Sequence, residues 1–289
     1  MPETYAIHVD TDLCRHCGAC VRECPISRFH GYTQIDAVHR EECLLCGHCL
    51  AVCPHGAISH DNMTVSRLDP AAISSAQLLQ AMSQRRSVRH FAPTPVTVDD
   101  WEAILTAVRY SPTGLNGRSV QATIITDPKI LDEISAQTAR LAGQLVRLVR
   151  NPVGRLALMV AAGAANVTRL RAAEAELQAI TARRDAGDDP ILHHAPGALI
   201  LHADRKSPTG HDDCVLAAMA AMLAAPSIGL GTCMIGFALI ALQRIPALRT
   251  CIELPATHDV AAILAVGYPA TEYHCVPLRP EIPVRWIKR

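Results

Sequence analysis

Two stretches, Cys14-Arg15-His16-Cys17-Gly18-Ala19-Cys20-Val21-Arg22-Glu23-Cys24-Pro25 and Cys43-Leu44-Leu45-Cys46-Gly47-His48-Cys49-Leu50-Ala51-Val52-Cys53-Pro54, decide how this sequence is read. Each has the spacing C-x2-C-x2-C-x3-C-P, and the second repeats the first at a constant offset of 29 residues. The pair is a duplicated half-domain. Three thiolates this close on one tight loop can take three corners of an iron–sulfur cubane, and the fourth corner must come from elsewhere in the chain. Structural zinc is the alternative, but zinc sites pair C-x2-C units across a longer gap and have no use for three cysteines in one run. Gly18 and Gly47 suit such loops, which need close backbone approach and permissive dihedrals. His16, His48 and His55 stand beside the cysteines and can hydrogen-bond sulfur, although solvated side chains are the simpler reading. Cys214, Cys233, Cys251 and Cys275 show no ligand spacing and read as small core residues.

A chain of 289 residues is long enough for about two domains. Its formal net charge is zero, so no overall basic field favours nucleic acid and no acidic field favours cationic partners. Only Lys129, Lys206 and Lys288 are lysine among 27 basic residues, which leaves 24 arginines, the better side chain for bidentate phosphate contacts, although a genome-wide codon bias accounts for the excess equally well. The opening Met1-Pro2-Glu3-Thr4-Tyr5 has neither the positive region nor the apolar stretch of a signal peptide. With the cysteines in ligand clusters, this leads to the expectation of a reducing cytoplasm. The most apolar helical stretch, Leu156 to Val167, is shorter than the roughly 20 residues that span a bilayer. It reads as a buried helix, the longer run from Leu156 to Arg184 has the apolar bulk of a dimer interface or a pocket cover, and no membrane partner is expected.

The cysteine clusters end before residue 59, polar residues follow in Ser59-His60-Asp61-Asn62, and Asp69-Pro70-Ala71-Ala72 reads as a linker turning into a helix. A boundary near residue 65 divides the chain into domains 1–64 and 65–289. Beyond it, helical patterns cover Ser75 to Arg85, Val98 to Tyr110, Lys129 to Val149, a long run from about Leu156 to Arg184, and His211 to Ala225. Strand candidates are 122–126, 197–202 and 260–266, each short, apolar and bounded by turn residues. Helices around one modest sheet make an α+β domain.

The double cysteine run resembles that of bacterial two-cluster ferredoxins. In that family the fourth cysteine of each run crosses to the other cluster. The resemblance assigns Cys14, Cys17, Cys20 and Cys53 to one 4Fe–4S cluster, and Cys43, Cys46, Cys49 and Cys24 to a second.

Gln84-Arg85-Arg86-Ser87-Val88-Arg89-His90-Phe91 sets three arginines and a hydroxyl at the end of a helix, enough to hold a dianionic phosphate by charge-assisted bonds. The segment resembles the opening motif of the nitroreductase superfamily, where an Arg-Arg-Ser-x-Arg run binds FMN. That resemblance implies Arg85 and Ser87 at the phosphate with Arg86 beside them, and Arg89 near the pyrimidine edge of the flavin. Pro112-Thr113-Gly114-Leu115-Asn116-Gly117-Arg118-Ser119 is similar to the family's Pro-Ser-Ser-x-Asn-x-Gln-Pro, whose asparagine hydrogen-bonds the flavin ring; Asn116 is the matching residue. Gly114, Arg118 and Ser119 depart from that pattern. Gly229-Leu230-Gly231-Thr232-Cys233-Met234-Ile235-Gly236 resembles the family's Gly-Leu-Gly-Thr-Cys-Trp-Ile-Gly, which packs near N5 of the ring, and implies Met234, Ile235 and Gly236 as neighbours. Val266-Gly267-Tyr268-Pro269 with Arg279-Pro280 resembles the family's last strand and the basic residue that returns to the phosphate, here Arg279.

The resemblances together imply a small ferredoxin-like two-cluster domain followed by a nitroreductase-like α+β FMN domain, with a homodimer holding FMN between subunits. Clusters carry single electrons, whereas a flavin accepts singles and releases a pair, so the expected activity is an oxidoreductase. Electrons pass from the clusters to FMN and on to an electron-poor acceptor such as a nitroaromatic, quinone or conjugated enone. The donor is open between a ferredoxin and NAD(P)H, the latter with reversed flow through the clusters. A non-catalytic electron carrier or redox sensor is the alternative from another class. No catalytic residue is assigned; His193 and His194, before the central strand, are candidate proton donors or a pair satisfied by backbone.

Overall fold

The computed structural model describes residues 4–5, 7–25, 38–39, 43–66 and 73–288. It divides into two compact units, Met1–Ser74 with Gly114–Arg118, and Ser75–Thr113 with Ser119–Arg289. The expected boundary near residue 65 lies between these units' nearest elements, and the expected linker Asp69-Pro70-Ala71-Ala72 lies outside the described residues.

In the first unit the duplication is visible in the backbone. Strand β1 (Thr4–Tyr5) precedes β2 (Ile7–Val9) and helix α1 (Ala19–Glu23); β3 (Val38–His39), α2 (His48–Val52) and β4 (Ile58–His60) follow. Strand β1 pairs antiparallel with β3, and β2 with β4, Ile7 opposite His60. Each short helix starts at a left-handed glycine, Gly18 at φ 70 and Gly47 at φ 73, and stops at an extended cysteine, Cys24 or Cys53, both at φ −73. Two residues before each glycine the chain again turns left-handed, at His16 (φ 51) and Leu45 (φ 50). The glycines satisfy the positive φ without the penalty a Cβ brings. Ile7, Leu50 and Ile58 form a small core against which Cys20, Cys24, Cys43, Cys49, Cys53 and Met63 pack.

The second unit is built on a sheet ordered β5-β6-β8-β7, antiparallel throughout. Before it come α3 (Ser75–Gln84) and α4 (Val98–Arg109), the latter capped by Thr97, whose hydroxyl accepts from Asp100 N. Strand β5 (Gln121–Ile125) leads to α5 (Pro128–Arg150), α6 (Pro152–Ala162), α7 (Ala164–Ala172) and α8 (Glu174–Asp185). Strand β6 (Gly197–Asp204), α9 (Gly210–Ala224), β7 (Gly231–Met234), α10 (Gly236–Arg244), α11 (Pro246–Cys251) and β8 (His258–Gly267) complete it.

The sheet is covered on both faces, which is why β6 and β8 read as unbroken apolar runs. Leu199 and Leu201 of β6 pack with Trp101, Ile104 and the small Ala217, Ala218 and Ala221 of α9. Ala198 and Ile200 point the other way, to Ile134 of α5 and Ala238, Ala241 and Leu242 of α10. A register shift between Leu201 and His202 sets Leu201 opposite Ala262 but His202 opposite Val260, leaving Ala261 as the extra residue of a bulge.

The apolar run Leu156 to Val167 is not the buried helix expected from its composition. Gly163, at φ 84, ends α6, which buries none of its residues; Leu156 and Val160 are exposed. The longer run to Arg184 is three helices, broken at Gly163 and Ala173. After β8, residues 269–288 form an arm with no helix and no hydrogen-bonded strand beyond the Phe91–Pro269 bridge, and Leu278, Ile282, Trp286 and Ile287 lie exposed along it. Among the described residues no helix is long and apolar enough to cross a membrane.

Candidate functional site

The eight clustered cysteines line two separate cavities. Cys14, Cys17, Cys20 and Cys53 face one, with His16 and His55 at its wall; Cys24, Cys43, Cys46 and Cys49 face the other, with Leu44 and His60. Each therefore takes three cysteines from one run and the fourth from the other half. In each run a left-handed residue, His16 or Leu45, lies between the first two cysteines, and a one-turn helix separates the ligands of one cavity from the fourth cysteine, which lines the other. Backbone amides already point at sulfur, Leu45 N donating to Cys43 Sγ at 3.4 Å and Ala57 N to Cys53 Sγ at 3.3 Å. Burial pushes the Cys20 thiol up and the Cys49 thiol to about 11, so metal ligation here must displace protons. Four soft thiol donors around each cavity fit an iron–sulfur group. Among the described residues no three or more His, Cys, Asp or Glu side chains converge tightly enough to hold one metal ion. His48 Nδ1 lies 3.5 Å from Glu23 Oε1 at the surface.

In the second unit a cavity of about 340 Å³ is lined by Arg85, Arg86, Ser87, Arg89 and Arg279, with Tyr273 beside them. Four of these residues follow α3, whereas Arg279 and Tyr273 come from the C-terminal arm. The arginine turn is fixed by its fusion to the sheet: Val88 N donates to Thr232 O at 3.0 Å, and Ser87 bridges Thr232 in parallel. Gly231 makes this approach feasible, because a Cβ there would sit 2.5 Å from Val88 Cγ2. Arg86 Nη1 donates to Ser83 O (2.6 Å) and Arg85 O (2.8 Å), while its Nη2 is buried without a hydrogen-bond partner. Leaving such a donor unpaired costs about 1–3 kcal/mol. No carboxylate lines the cavity among the described residues, so the donor set fits a dianionic phosphate. Burial raises the Cys233 thiol on β7, opposed by the charges of Arg89 and Arg85 and by the Ser87 hydroxyl.

The other residues singled out in the sequence take varied places. Met234 is partly exposed at the end of β7. Ile235 turns into the core, its N–H donating to Ile263 O at 2.9 Å. Gly236 opens α10, and a Cβ at this position would meet nothing within 4 Å. Asn116 belongs to the first unit, where its amide donates to the carbonyls of Leu44 and Leu45 at 2.8 Å each. His194 Nε2 accepts from Asp189 N at 3.1 Å, within a turn organised by the Asp189 carboxylate, which also accepts from Ile191 N, Leu192 N and Ser135 Oγ. Burial holds the His193 imidazole below its ordinary range, against the pull of Asp189. Tyr273 was not singled out beforehand; an arm without secondary structure gives no periodic signal for its placement.

An antiparallel α+β layer sandwich carrying an arginine-lined cavity, in one chain with a duplicated thiol-lined unit, defines a class of redox protein. The chain belongs to the nitroreductase family, whose family model, "Nitroreductase family", matches residues 82–268. Residues 6–54 match the 4Fe-4S dicluster domain. Solved structures similar to the chain include a nitroreductase with bound FMN from Bacteroides fragilis NCTC 9343, at 23% identity and TM-score 0.50, covering 72% of this chain and 99% of that one. Oxidized iodotyrosine deiodinase bound to FMN and 3-iodo-L-tyrosine is 19% identical at TM-score 0.52, with 73% and 99% covered. A nitroreductase with bound FMN from Desulfitobacterium hafniense DCB-2 is 17% identical at TM-score 0.51, with 71% and 94% covered. At these identities the likeness is one of fold.

Proposed function

We propose that this chain is an iron–sulfur flavin oxidoreductase that holds two 4Fe–4S clusters and one FMN, and passes electrons from the clusters through FMN to an electron-poor small molecule. The observation that carries the reading is the presence, in one chain, of two four-thiol cavities and an arginine cavity fitted to a phosphate. When bound, the clusters supply single electrons and the flavin converts them into the pair that a nitroaromatic, quinone or conjugated enone accepts.

The chain's own residues supply binding and placement. Cys14, Cys17, Cys20 and Cys53 ligate one cluster; Cys24, Cys43, Cys46 and Cys49 ligate the other. Arg85, Arg86, Ser87 and Arg279 hold the phosphate. Arg89 serves the flavin edge, as in the family pattern. The Val88–Thr232 hydrogen bond fixes the phosphate turn relative to β7, and so relative to Met234 and Gly236 at its end. A homodimer belongs to this reading. It is motivated by the apolar side chains that one copy leaves exposed along the arm, at Leu278, Ile282, Trp286 and Ile287, which a second copy could cover.

The test is a double variant, Cys17→Ser with Cys46→Ser, which removes one thiolate from each cavity. It should retain FMN and still reduce a quinone after chemical reduction, yet accept electrons far more slowly from a reduced ferredoxin than the parent does. Reduction at the parent rate would make the clusters bystanders or an exit path and would overturn the direction of flow. A parent reduced by NADPH but not by ferredoxin would replace the donor.

A further inference from the structure

Residues 114–118 lie inside the sequence span of the family match, but they fold as part of the cysteine-rich unit. Their backbone is costly. Leu115 (φ 50), Asn116 (φ 53) and Arg118 (φ 48) are three left-handed non-glycine residues within five, Leu115 and Arg118 each opposed by about 1–2 kcal/mol and Asn116 by less. Such a turn persists only where its surroundings hold it. Here three hydrogen bonds do so: Asn116 Nδ2 donates to Leu44 O and Leu45 O, both at 2.8 Å, and Arg118 Nη2 donates to Leu45 O at 2.9 Å.

The acceptors are the two peptide carbonyls between Cys43 and Cys46, on the loop that lines the second thiol cavity. The Leu44 carbonyl and the Leu45 N–H belong to one peptide group, and that N–H donates to Cys43 Sγ at 3.4 Å. A donor on the carbonyl side of a peptide polarises it and strengthens the bond made by its N–H, by about 10–30%. The Arg118 guanidinium adds a positive charge at the next carbonyl. Hydrogen bonds to ligand sulfurs and nearby charge are what set the potential of an iron–sulfur centre.

We propose that Asn116 and Arg118 are positioning residues for the second cluster: they clamp the Leu44–Leu45 segment of its loop and, through the Leu45 amide, raise its reduction potential. The proposal rests on the reading of the thiol cavities as cluster sites. It gives Asn116 a task different from the flavin contact its motif implies.

The experiment is an anaerobic redox titration of the full-length holoprotein, followed by electron paramagnetic resonance, with iron and FMN content measured on the same samples. Asn116→Asp keeps the shape and removes the donors; Asn116→Ala removes both without adding charge; Arg118→Gln and Arg118→Lys separate charge from length. In Asn116→Ala and Arg118→Gln, one of the two cluster transitions should move to lower potential by a threefold or greater change in its reduction equilibrium, a tenfold change being about 59 mV for one electron. The other transition should move less, and Arg118→Lys should recover part of the shift. Should Asn116→Asp lose iron, loss of about half with FMN retained upholds the assignment to one cluster, whereas loss of all iron points to general unfolding and overturns it. Both transitions unmoved in fully loaded Asn116→Ala and Arg118→Gln also overturn it. A parent that binds no iron overturns the cluster reading itself, a result separate from either of these.

Discussion

Arg279→Ala is the cleanest probe of the arginine cavity, because Arg279 reaches it from an exposed arm outside the helices and sheet. If Arg279 holds the phosphate as proposed, its removal deletes a charge-assisted contact while leaving the hydrogen bonds that fix Arg86 and Val88 in place. Such contacts are worth about 1.5–3 kcal/mol, or roughly tenfold to 150-fold in affinity. The arm's exposure screens the charge, so the lower end, about tenfold, is expected near physiological salt, and more at low ionic strength. Fluorescence titration of the apoprotein measures this directly, with riboflavin as the control ligand. Riboflavin lacks the phosphate, so its affinity should be the same in parent and variant, whereas that of FMN should fall. An equal loss for both ligands would show that Arg279 acts on the ring or the fold, and an unchanged FMN affinity would remove it from the site.

Three further outcomes are expected. Protein purified anaerobically should carry about eight irons per chain, as two four-iron clusters require; zinc without acid-labile sulfide would refute this. Burial, and then His258 at 2.9 Å, hold the His202 imidazole at about 4, below its ordinary 6.5. The unfolded chain therefore binds the proton first, and stability present above pH 6.5 should drain by about 3 kcal/mol as pH falls through 4; urea midpoints of His202→Gln should decline less steeply over that window, and parallel slopes would contradict it. Gly231→Ala sets a Cβ 2.5 Å from Val88 Cγ2 and should destabilise the chain by about 1–3 kcal/mol with loss of FMN, and a thermal midpoint equal to the parent's would show that β7 can yield.

What the sequence disclosed followed from how local each signal is. The cysteine runs were legible because ligand chemistry fixes their spacing, and the duplication at offset 29 reappears as matched dihedrals. Helices α3, α4, α5 and α9, and strands β5, β6 and β8, lie within a few residues of expectation, since each is a continuous periodic or apolar segment. Strand β7 escaped as a strand because Gly-Thr-Cys-Met has neither length nor alternation; it is held by pairing with β8. Helices α10 and α11 followed it unnoticed. Leu156 to Arg184 read as one run because alanine and leucine continue across Gly163, and only the backbone shows that glycine at positive φ. The capture of Asn116 by carbonyls some 70 residues earlier in the chain leaves no local pattern at all. Arg85 through Arg89 were visible as a charge cluster, whereas the meeting with Arg279 was inferred from family likeness alone; the cavity they share is a property of the folded arm.

Because the cysteine-rich unit includes Gly114–Arg118, it is discontinuous in the chain, and this bears on the order of events at the ribosome. The last cysteine of the second run is translated at position 53, yet the clamp on its loop does not exist until residue 118 has been added and has left the exit tunnel. At synthesis rates of roughly 5–20 residues per second, that is a delay of several seconds. During it, eight thiols are available to assembly machinery on a nascent chain whose second loop still lacks its final restraints. The same discontinuity means that a fragment cut at residue 74 would not reproduce the unit as it stands in the whole protein. Any attempt to transplant the cluster module onto another flavoprotein would have to carry residues 114–118 along with it.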